Sequence, residues 1–202
     1  MKVNYQKQLD GILAGITESG TVPSLLLHSC CGPCSSYVLE YLSKYFNITV
    51  FFYNPNIYPY EEYLKRVQAQ KRIVSLLPVI HPVQLIIPDY TPDEFLSAAR
   101  GLEGCPEGGE RCSACFALRL NRTAREAFWG GFDYFATTLT VSPHKNAEVI
   151  NTIGFAASRA VEVAYLPSDF KKREGYKRSI ELSREYGLYR QDYCGCKFAA
   201  GL

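Results

Sequence analysis

The chain has 202 residues, 47% of them hydrophobic and 21% charged, enough to bury a sizeable core as one domain. Its formal net charge of +2 is too small to argue nucleic-acid binding from composition, which needs a clear basic excess. No apolar run approaches a membrane span, and the opening segment MKVNYQKQLDGILAGITESG mixes charges into its apolar residues where a signal peptide has an unbroken apolar stretch, so a cytoplasmic location without membrane contact is expected.

In chain order, Leu9, Ile12, Leu13 and Ile16 recur at helical spacing and predict an amphipathic helix in an N-terminal extension, residues 1–23. Leu25 to His28 is a short apolar run, predicted as a strand, that leads through Ser-Cys-Cys-Gly-Pro-Cys-Ser-Ser into a helix carrying Tyr37, Leu39, Tyr41 and Leu42. Ile48 to Tyr53 has the β-branched and aromatic content of a buried strand, broken by Asn54-Pro55-Asn56, and a helix is predicted from about Tyr60 to Leu77. Val83 to Ile87 reads as a third strand. Thr91-Pro92-Asp93-Glu94 has the form of a capping box with proline at the first helical position. Beyond the glycine-rich loop GLEGCPEGGERC, a helix is predicted over 113–128, strands over 132–137 and 161–165, and a last helix over 176–186.

Strand-to-helix alternation implies a parallel α/β sheet, in which the functional crevice lies beyond the carboxyl ends of the strands. The loops after Leu27, Tyr53 and Thr137 are expected to converge there. No internal repeat or long linker divides the chain, so residues 1–202 are expected to form a single domain.

Eight cysteines in a chain expected in the reducing cytoplasm point to metal or redox chemistry rather than to a disulfide framework. They fall at Cys30, Cys31 and Cys34, at Cys105, at Cys112 and Cys115, and at Cys194 and Cys196. Lone cysteines are commonly small buried hydrophobes; seven in three tight clusters suit ligands better. One zinc ion or one cubane cluster takes four protein ligands, so seven thiolates leave three for a second metal or for work on substrate. The adjacent Cys30-Cys31 pair suggests two centres, since neighbouring side chains diverge. A rival reading is Cys31-Gly-Pro-Cys34 as a thioredoxin-like thiol–disulfide motif, its thiol activated by a helix N-terminus. Another is a non-catalytic, metal-stabilised RNA-binding module, which requires only four closed ligands.

Taken together, HSCCGPCSS, YNPNIYPYEEYLKR, EGGERCSACFALRL, FATTLTVSPHKN and GLYRQDYCGC resemble the motif series of the cobalamin-independent epoxyqueuosine reductase family, QueH, from His28 to Lys197. The resemblance implies a Rossmann-like parallel sheet of the adenine-nucleotide α-hydrolase type, with the cysteine loop where ATP-using relatives keep a phosphate cradle; no G-x-x-x-x-G-K-[ST] occurs in the chain. It implies reduction of epoxyqueuosine to queuosine at the wobble position of tRNA, with an iron–sulfur cluster, taken as 4Fe-4S, and a second metal ion, iron or zinc. Cys30, Cys31, Cys112, Cys115, Cys194 and Cys196 match the family's cysteine positions and are the implied ligands. At Cys34 the family also places other metal-binding residue types, and Cys34 is assigned to the second metal. Cys105 and Ala136 depart from the pattern.

Removing an epoxide oxygen takes two electrons, protons and an electrophile for the developing charge. Nothing in the sequence resembles a flavin or nicotinamide site, so an external electron-donor protein is implied. His28, Tyr53, Asn54, Glu62, Arg66 and Tyr193 stand beside the converging loops as candidates for proton transfer or substrate contact. The plain alternative is packed tyrosines and an exposed Glu62–Arg66 helix pair. The segment from Phe170 to Arg178 interleaves Lys171, Lys172 and Arg173 with aromatics including Tyr176 and suits tRNA phosphates and an unpaired base. Arg111, Lys145 and Arg190 are expected to extend that surface, and Ser142-Pro143-His144-Lys145 suits a phosphate contact.

Overall fold

The structure, a computed structural model, describes residues 3–199. The elements run α1 (Tyr5–Ser19), β1 (Ser24–His28), α2 (Gly32–Leu42), β2 (Asn47–Phe51), α3 (Tyr60–Leu76), β3 (Val83–Ile86), α4 (Pro92–Ala98), α5 (Glu110–Trp129), β4 (Tyr134–Thr137), a 3-10 turn (Thr138–Val141), α6 (Ala147–Val161), β5 (Ala164–Tyr165) and α7 (Gly175–Glu185). All five strands are parallel, in the order β3-β2-β1-β4-β5. This is the expected Rossmann-like parallel α/β sheet in a single domain.

β1 lies at the centre, and Leu25, Leu26 and Leu27 are buried, as a strand covered on both faces requires. Its last residue, His28, pairs in register with Phe51 at the end of β2 and with Thr137 at the end of β4. Three strands therefore end at one level, and their loops leave side by side. The N-terminal helix is no appendage. Leu9, Leu13 and Ile16 join the main apolar core with Val38, Leu39, Phe170 and Leu182. Among the described residues, no helix is long and apolar enough to cross a membrane.

Three expectations need correction. Periodicity predicts no element over residues 138–160, yet α6 lies there, capped by Asn146 Oδ1, which accepts from Glu148 N at 2.9 Å. Its buried residues mix Ile150 with small or polar Ala147, Asn151, Gly154 and Ala157, while half-buried Val149, Ile153 and Phe155 pack against the core beside them. A Cβ on Gly154 would lie 2.3 Å from the Tyr165 ring, so the residue must be small. The expected strand over 161–165 shrinks to Ala164–Tyr165, because Val161 ends α6 and Glu162 turns the chain in the left-handed conformation. Finally, Thr91 does cap α4, but its hydroxyl is unbonded; Glu94 instead accepts from the Tyr53 hydroxyl at 2.5 Å.

Gly32, the first residue of α2, lies against α3, and a Cβ there would fall 2.6 Å from the Ala69 carbonyl oxygen. Backbone cannot give as a flexible side chain does, so Gly32→Ala should push the α2 N-terminus, with Cys31 and Cys34, away from α3. The expected result is a lower midpoint of thermal unfolding together with reduced metal uptake, read by calorimetry and metal analysis on the same preparation.

Candidate metal centre

The convergence of the three loops is clasped by His28, which is fully buried. Its Nε2 is 3.1 Å from the Tyr53 carbonyl, which can only accept, so Nε2 carries the proton and Nδ1 accepts from the Thr137 hydroxyl at 2.9 Å. Burial, helped by the Arg119 charge, lowers the His28 pKa to about 3. This histidine stays neutral and sealed in the core, a structural clasp rather than the expected proton donor. Beside it, Asn54 Nδ2 donates to the Ser29 carbonyl at 2.8 Å, and the Ser29 and Ser35 hydroxyls donate to Gln70 Oε1 at 2.6 and 3.0 Å.

On this base sits the cysteine loop. Cys31 caps α2 and Cys34 lies in its first turn, the helix-start placement expected from the sequence. The sulfurs of Cys30, Cys31 and Cys34 all lie within 4.8 Å of one another, close to the span of thiolates around a single ion with bonds of about 2.3 Å. Cys30 and Cys31 sulfurs are 3.8 Å apart, so the adjacent pair converges, contrary to the expected divergence. Thr138 accepts from Cys30 N at 3.2 Å and its hydroxyl donates to Cys30 Sγ at 3.5 Å.

The other two clusters reach the same place. Cys112 and Cys115 lie in the first turns of α5, on one face with Arg119 a turn further on. Cys196 forms an antiparallel bridge with Ile57, and Tyr58 N donates to the Gly195 carbonyl at 2.8 Å. Arg66, only 2% exposed, fixes that loop: Nη1 donates to Cys194 O at 3.0 Å, Nη2 to Tyr193 O at 3.2 Å, and Nε to Glu62 at 2.7 Å. Gly195 has φ +92°, and a Cβ there would come within 2.9 Å of the Arg66 guanidinium, so glycine is required twice over. Cys30, Cys112, Cys115, Cys194 and Cys196 together line a cavity of about 110 Å³. A wider cleft adjoins it, lined by Cys34, Cys194, Lys145, Tyr176, Arg190 and Tyr193.

The electrostatics favour thiolates. Hydrogen bonds from Cys31 and Cys34 pull the Cys30 pKa well down and push those of its partners up, Cys31 to about 11. Cys196 likewise lowers Cys194 to about 6. Burial raises Cys115. The Cys30–Cys34 and Cys194–Cys196 groups thus each hold one stabilised thiolate beside protonated thiols, whose protons a metal would displace. Backbone N–H donors point at two sulfurs, Gly108 N at Cys112 Sγ (3.2 Å) and Cys196 N at Cys194 Sγ (3.4 Å), as second-shell donors to metal thiolates do. Arg119 is 4% exposed and forms no ion pair with any described carboxylate; its guanidinium donates to Asn54 Oδ1 at 3.3 Å and to the Cys115 carbonyl. A buried cation without a carboxylate needs anionic surroundings, and the sulfurs are the nearest. At Lys145, burial would lower the pKa, but Cys30 and Cys34 outweigh it and raise it. The donor set therefore fits a thiolate-bound metal.

The expected site residues separate into three groups. Asn54, Lys145 and all seven clustered cysteines are at the centre or in its immediate wall. Glu62, Arg66 and Arg111 are buried and hold loops: Glu62 and Arg66 form a closed interior pair, not an exposed helix pair, and Arg111 Nη1 donates to the Glu103 carbonyl at 2.6 Å. Both arginines also line the cysteine cavity, with guanidinium N–H groups taken up by backbone carbonyls. Tyr53 is packed on Phe51 with its hydroxyl on Glu94 and does not line the cavity. Tyr193 lines the cleft, its hydroxyl donating to Tyr58 O at 2.8 Å. The basic segment divides: Phe170 is core, Lys171 pairs with Asp169, Arg173 pairs with Asp10 of α1 at 2.6 Å, and Lys172 is exposed. Only Tyr176 of that segment reaches the cleft, where the Arg190 guanidinium sits 6.0 Å above its ring. Cys105 lines neither space. Sequence reasoning missed Arg119, Thr138 and Gln191. Arg119 was accessible from its spacing, four residues after Cys115 on the same helix face.

A parallel sheet that gathers thiols beyond the carboxyl ends of its strands defines a thiol-rich α/β protein with a cysteine cluster able to hold a metal ion. A profile of the family described as epoxyqueuosine reductase QueH matches residues 25–201. The chain belongs to that family, whose members are oxidoreductases. The chain is 46% identical to "Epoxyqueuosine reductase QueH" of Streptococcus pyogenes over 98% of its own length and 79% of that protein's. It is 40% identical to the Acinetobacter baylyi protein of the same name (87% and 79% covered) and 34% to that of Thermotoga maritima (87% and 90%). The structure of a predicted subunit of tRNA methyltransferase from Methanocaldococcus jannaschii shares the fold, with a TM-score of 0.50 and 15% identity over 82% of this chain and 75% of that one.

Two outcomes test this construction. Arg66→Ala leaves Glu62 buried without its partner, which should cost about 3–5 kcal/mol in denaturant unfolding and abolish metal retention at the Cys194–Cys196 loop. His28 sets a pH window. Its folded pKa, about 3, lies below the ordinary value near 6.5, so below pH ~6.5 the unfolded chain binds a proton that the folded chain refuses. Stability should therefore be unaffected by this group above pH ~6.5 and fall by up to about 1.4 kcal/mol per pH unit on acidification below it. His28→Gln should lose that part of the slope in urea titrations at pH 4.5 to 7.

Proposed function

We propose that this protein reduces epoxyqueuosine to queuosine in tRNA, using a 4Fe-4S cluster and an adjacent metal ion held by its clustered cysteines. The observation that carries the reading is the convergence of three distant thiol clusters on one cavity that opens beside a cleft lined by Lys145, Tyr176 and Arg190. Cys112, Cys115, Cys194 and Cys196 would hold the cluster, and Cys30, Cys31 and Cys34, whose sulfurs lie within 4.8 Å of one another, would hold the second ion. When bound, these groups supply electrons and an electrophile for the epoxide oxygen. A separate reducing protein delivers two electrons.

The chain does the rest. As the two C–O bonds of the epoxide give way to a C=C bond, Lys145 Nζ, kept protonated beside the sulfurs, donates one of the two protons with which the oxygen leaves as water, and solvent supplies the other. Asn54 fixes the distance between the cysteine loop and α5 by bridging Ser29 O and Arg119. Arg119 balances the negative charge of the thiolates within the low-dielectric cavity. Arg190 and Tyr176 form the cleft wall against which the modified nucleotide and its phosphate rest. Thiol–disulfide exchange through Cys31 and Cys34 alone leaves the other convergent cysteines without a role, and so does a four-ligand structural module.

Iron, acid-labile sulfide and visible absorption measured on protein purified without oxygen, followed by an epoxyqueuosine-tRNA assay, test the reading. Cys112→Ala should lose both the cluster absorbance and turnover. Lys145→Met should keep the absorbance and lower the rate by about 10²-fold or more, the range for removal of a general acid. Stoichiometric zinc persisting after anaerobic iron–sulfide reconstitution would sink the cluster reading.

A further inference from the structure

Next to the cysteine cavity, and sharing the side chains of Asn56 and Phe95 with it, lies a second hollow of about 200 Å³ between the loop after β2 and the start of α4. Its walls are ring faces from Tyr58, Tyr60, Tyr90, Pro92 and Phe95, closed by Leu96. Tyr60 stacks on the buried Tyr63 behind it (5.9 Å, 15°) and lies tilted at 38° to Tyr90, 5.3 Å away, while Tyr60 is itself 50% exposed and Tyr58 41%. Lys197 Nζ stands 5.4 Å over the Tyr58 ring, and among the described residues no carboxylate lines the hollow.

The hollow is also rigid and tied to the thiols. Tyr90 Oη donates to Ile57 O at 2.6 Å, and Tyr58 is bonded through its own N–H to Gly195 and through its carbonyl to Tyr193. Whatever occupies it is thus held at a fixed offset from the cysteine cavity. An exposed aromatic patch of this kind marks a contact surface. Its size decides what it contacts: about 200 Å³ is below the usual range for drug-sized ligands, room for one planar ring system and too little for several residues of a peptide. Stacking faces, one cation and no anion suit a base carrying a phosphate.

From this geometry we infer that the Tyr58–Tyr60–Tyr90 hollow is a stacking site for an unpaired nucleobase of the RNA substrate, the neighbour of the nucleotide that enters the cysteine cavity. The inference rests on the RNA reading given above and adds a second base contact to it. The site accepts any base by its π face, so it sets affinity and register rather than sequence.

The test uses metal-loaded protein, prepared without oxygen, and an anticodon stem-loop RNA with 2-aminopurine at the nucleotide 3′ of the wobble position. Wild type should bind and quench the probe, and Tyr60→Phe should do the same. Tyr60→Ala should bind about 5- to 150-fold more weakly, the equivalent of the range for one stacked base, and leave the probe bright with metal content unchanged. Leu96→Glu, which adds a negative charge at the rim without touching the stack, should also weaken binding and guards against a folding defect in Tyr60→Ala. Wild-type affinity and quenching in both variants would overturn the stacking site and leave the RNA reading standing. No RNA binding by the wild type would overturn both. Unchanged RNA affinity with slower reduction by the electron donor would overturn the stacking site in favour of a protein contact.

Discussion

The candidate centre depends on the buried Glu62–Arg66 pair. Cysteines some 160 residues from the first cluster cannot reach the strand ends unless the segment that carries them is docked, and its apolar contacts, Cys196 and Phe198 against Phe95, do not fix the backbone between Tyr193 and Cys196. Arg66 supplies the attachment by donating to two consecutive carbonyls of that segment while its remaining Nε–H is neutralised by Glu62. Such a pair need not add net stability, since desolvating two charges offsets much of their attraction. It does fix one arrangement, because every alternative leaves a charge uncompensated inside the protein.

The same argument extends to the wall of the cavity. Arg119 has no described carboxylate in reach, Lys145 is held protonated by thiols, and the Arg111 Nε is buried without a partner. Three cations around a group of sulfurs would be badly placed in a protein whose thiols stayed protonated. They are well placed if the cavity holds several thiolates, and that chemical demand is independent of any family membership.

Much of this was legible in the sequence where side-chain type reports its own environment. Leu25–Leu27 and Ile48–Phe51 read as buried strands because they are, and the alternation of strand and helix gave the parallel sheet and the level at which its loops converge. Cysteine clustering singled out the seven thiols that the fold gathers, because few other fates explain their grouping. Helix α6 was overlooked although Val149, Ile150, Ile153 and Phe155 carry an apolar face, which Asn151 and Gly154 interrupt where they fit the Ser168 backbone and the Tyr165 ring. The roles of Arg66, Arg111 and Phe170 were hidden for a related reason: an arginine that binds phosphate and one that binds carbonyl oxygens have the same local pattern, and only tertiary contact separates them. His28 and Tyr53 stood correctly beside the converging loops, but position along a strand end does not reveal which way a side chain turns.

The placement of the last two thiols also governs how the centre is born. Cys30, Cys31 and Cys34 leave the ribosome first, and Cys194 follows after a further 160 residues, a delay of about 8 to 32 s at ordinary synthesis rates of roughly 5–20 residues per second. For that interval the early sulfurs are made but the Arg66-docked loop that closes over them does not yet exist. Gathering of the seven thiols around one cavity therefore waits for the Cys194–Cys196 segment, and until then the earlier thiols lack the Arg66-docked loop that covers them.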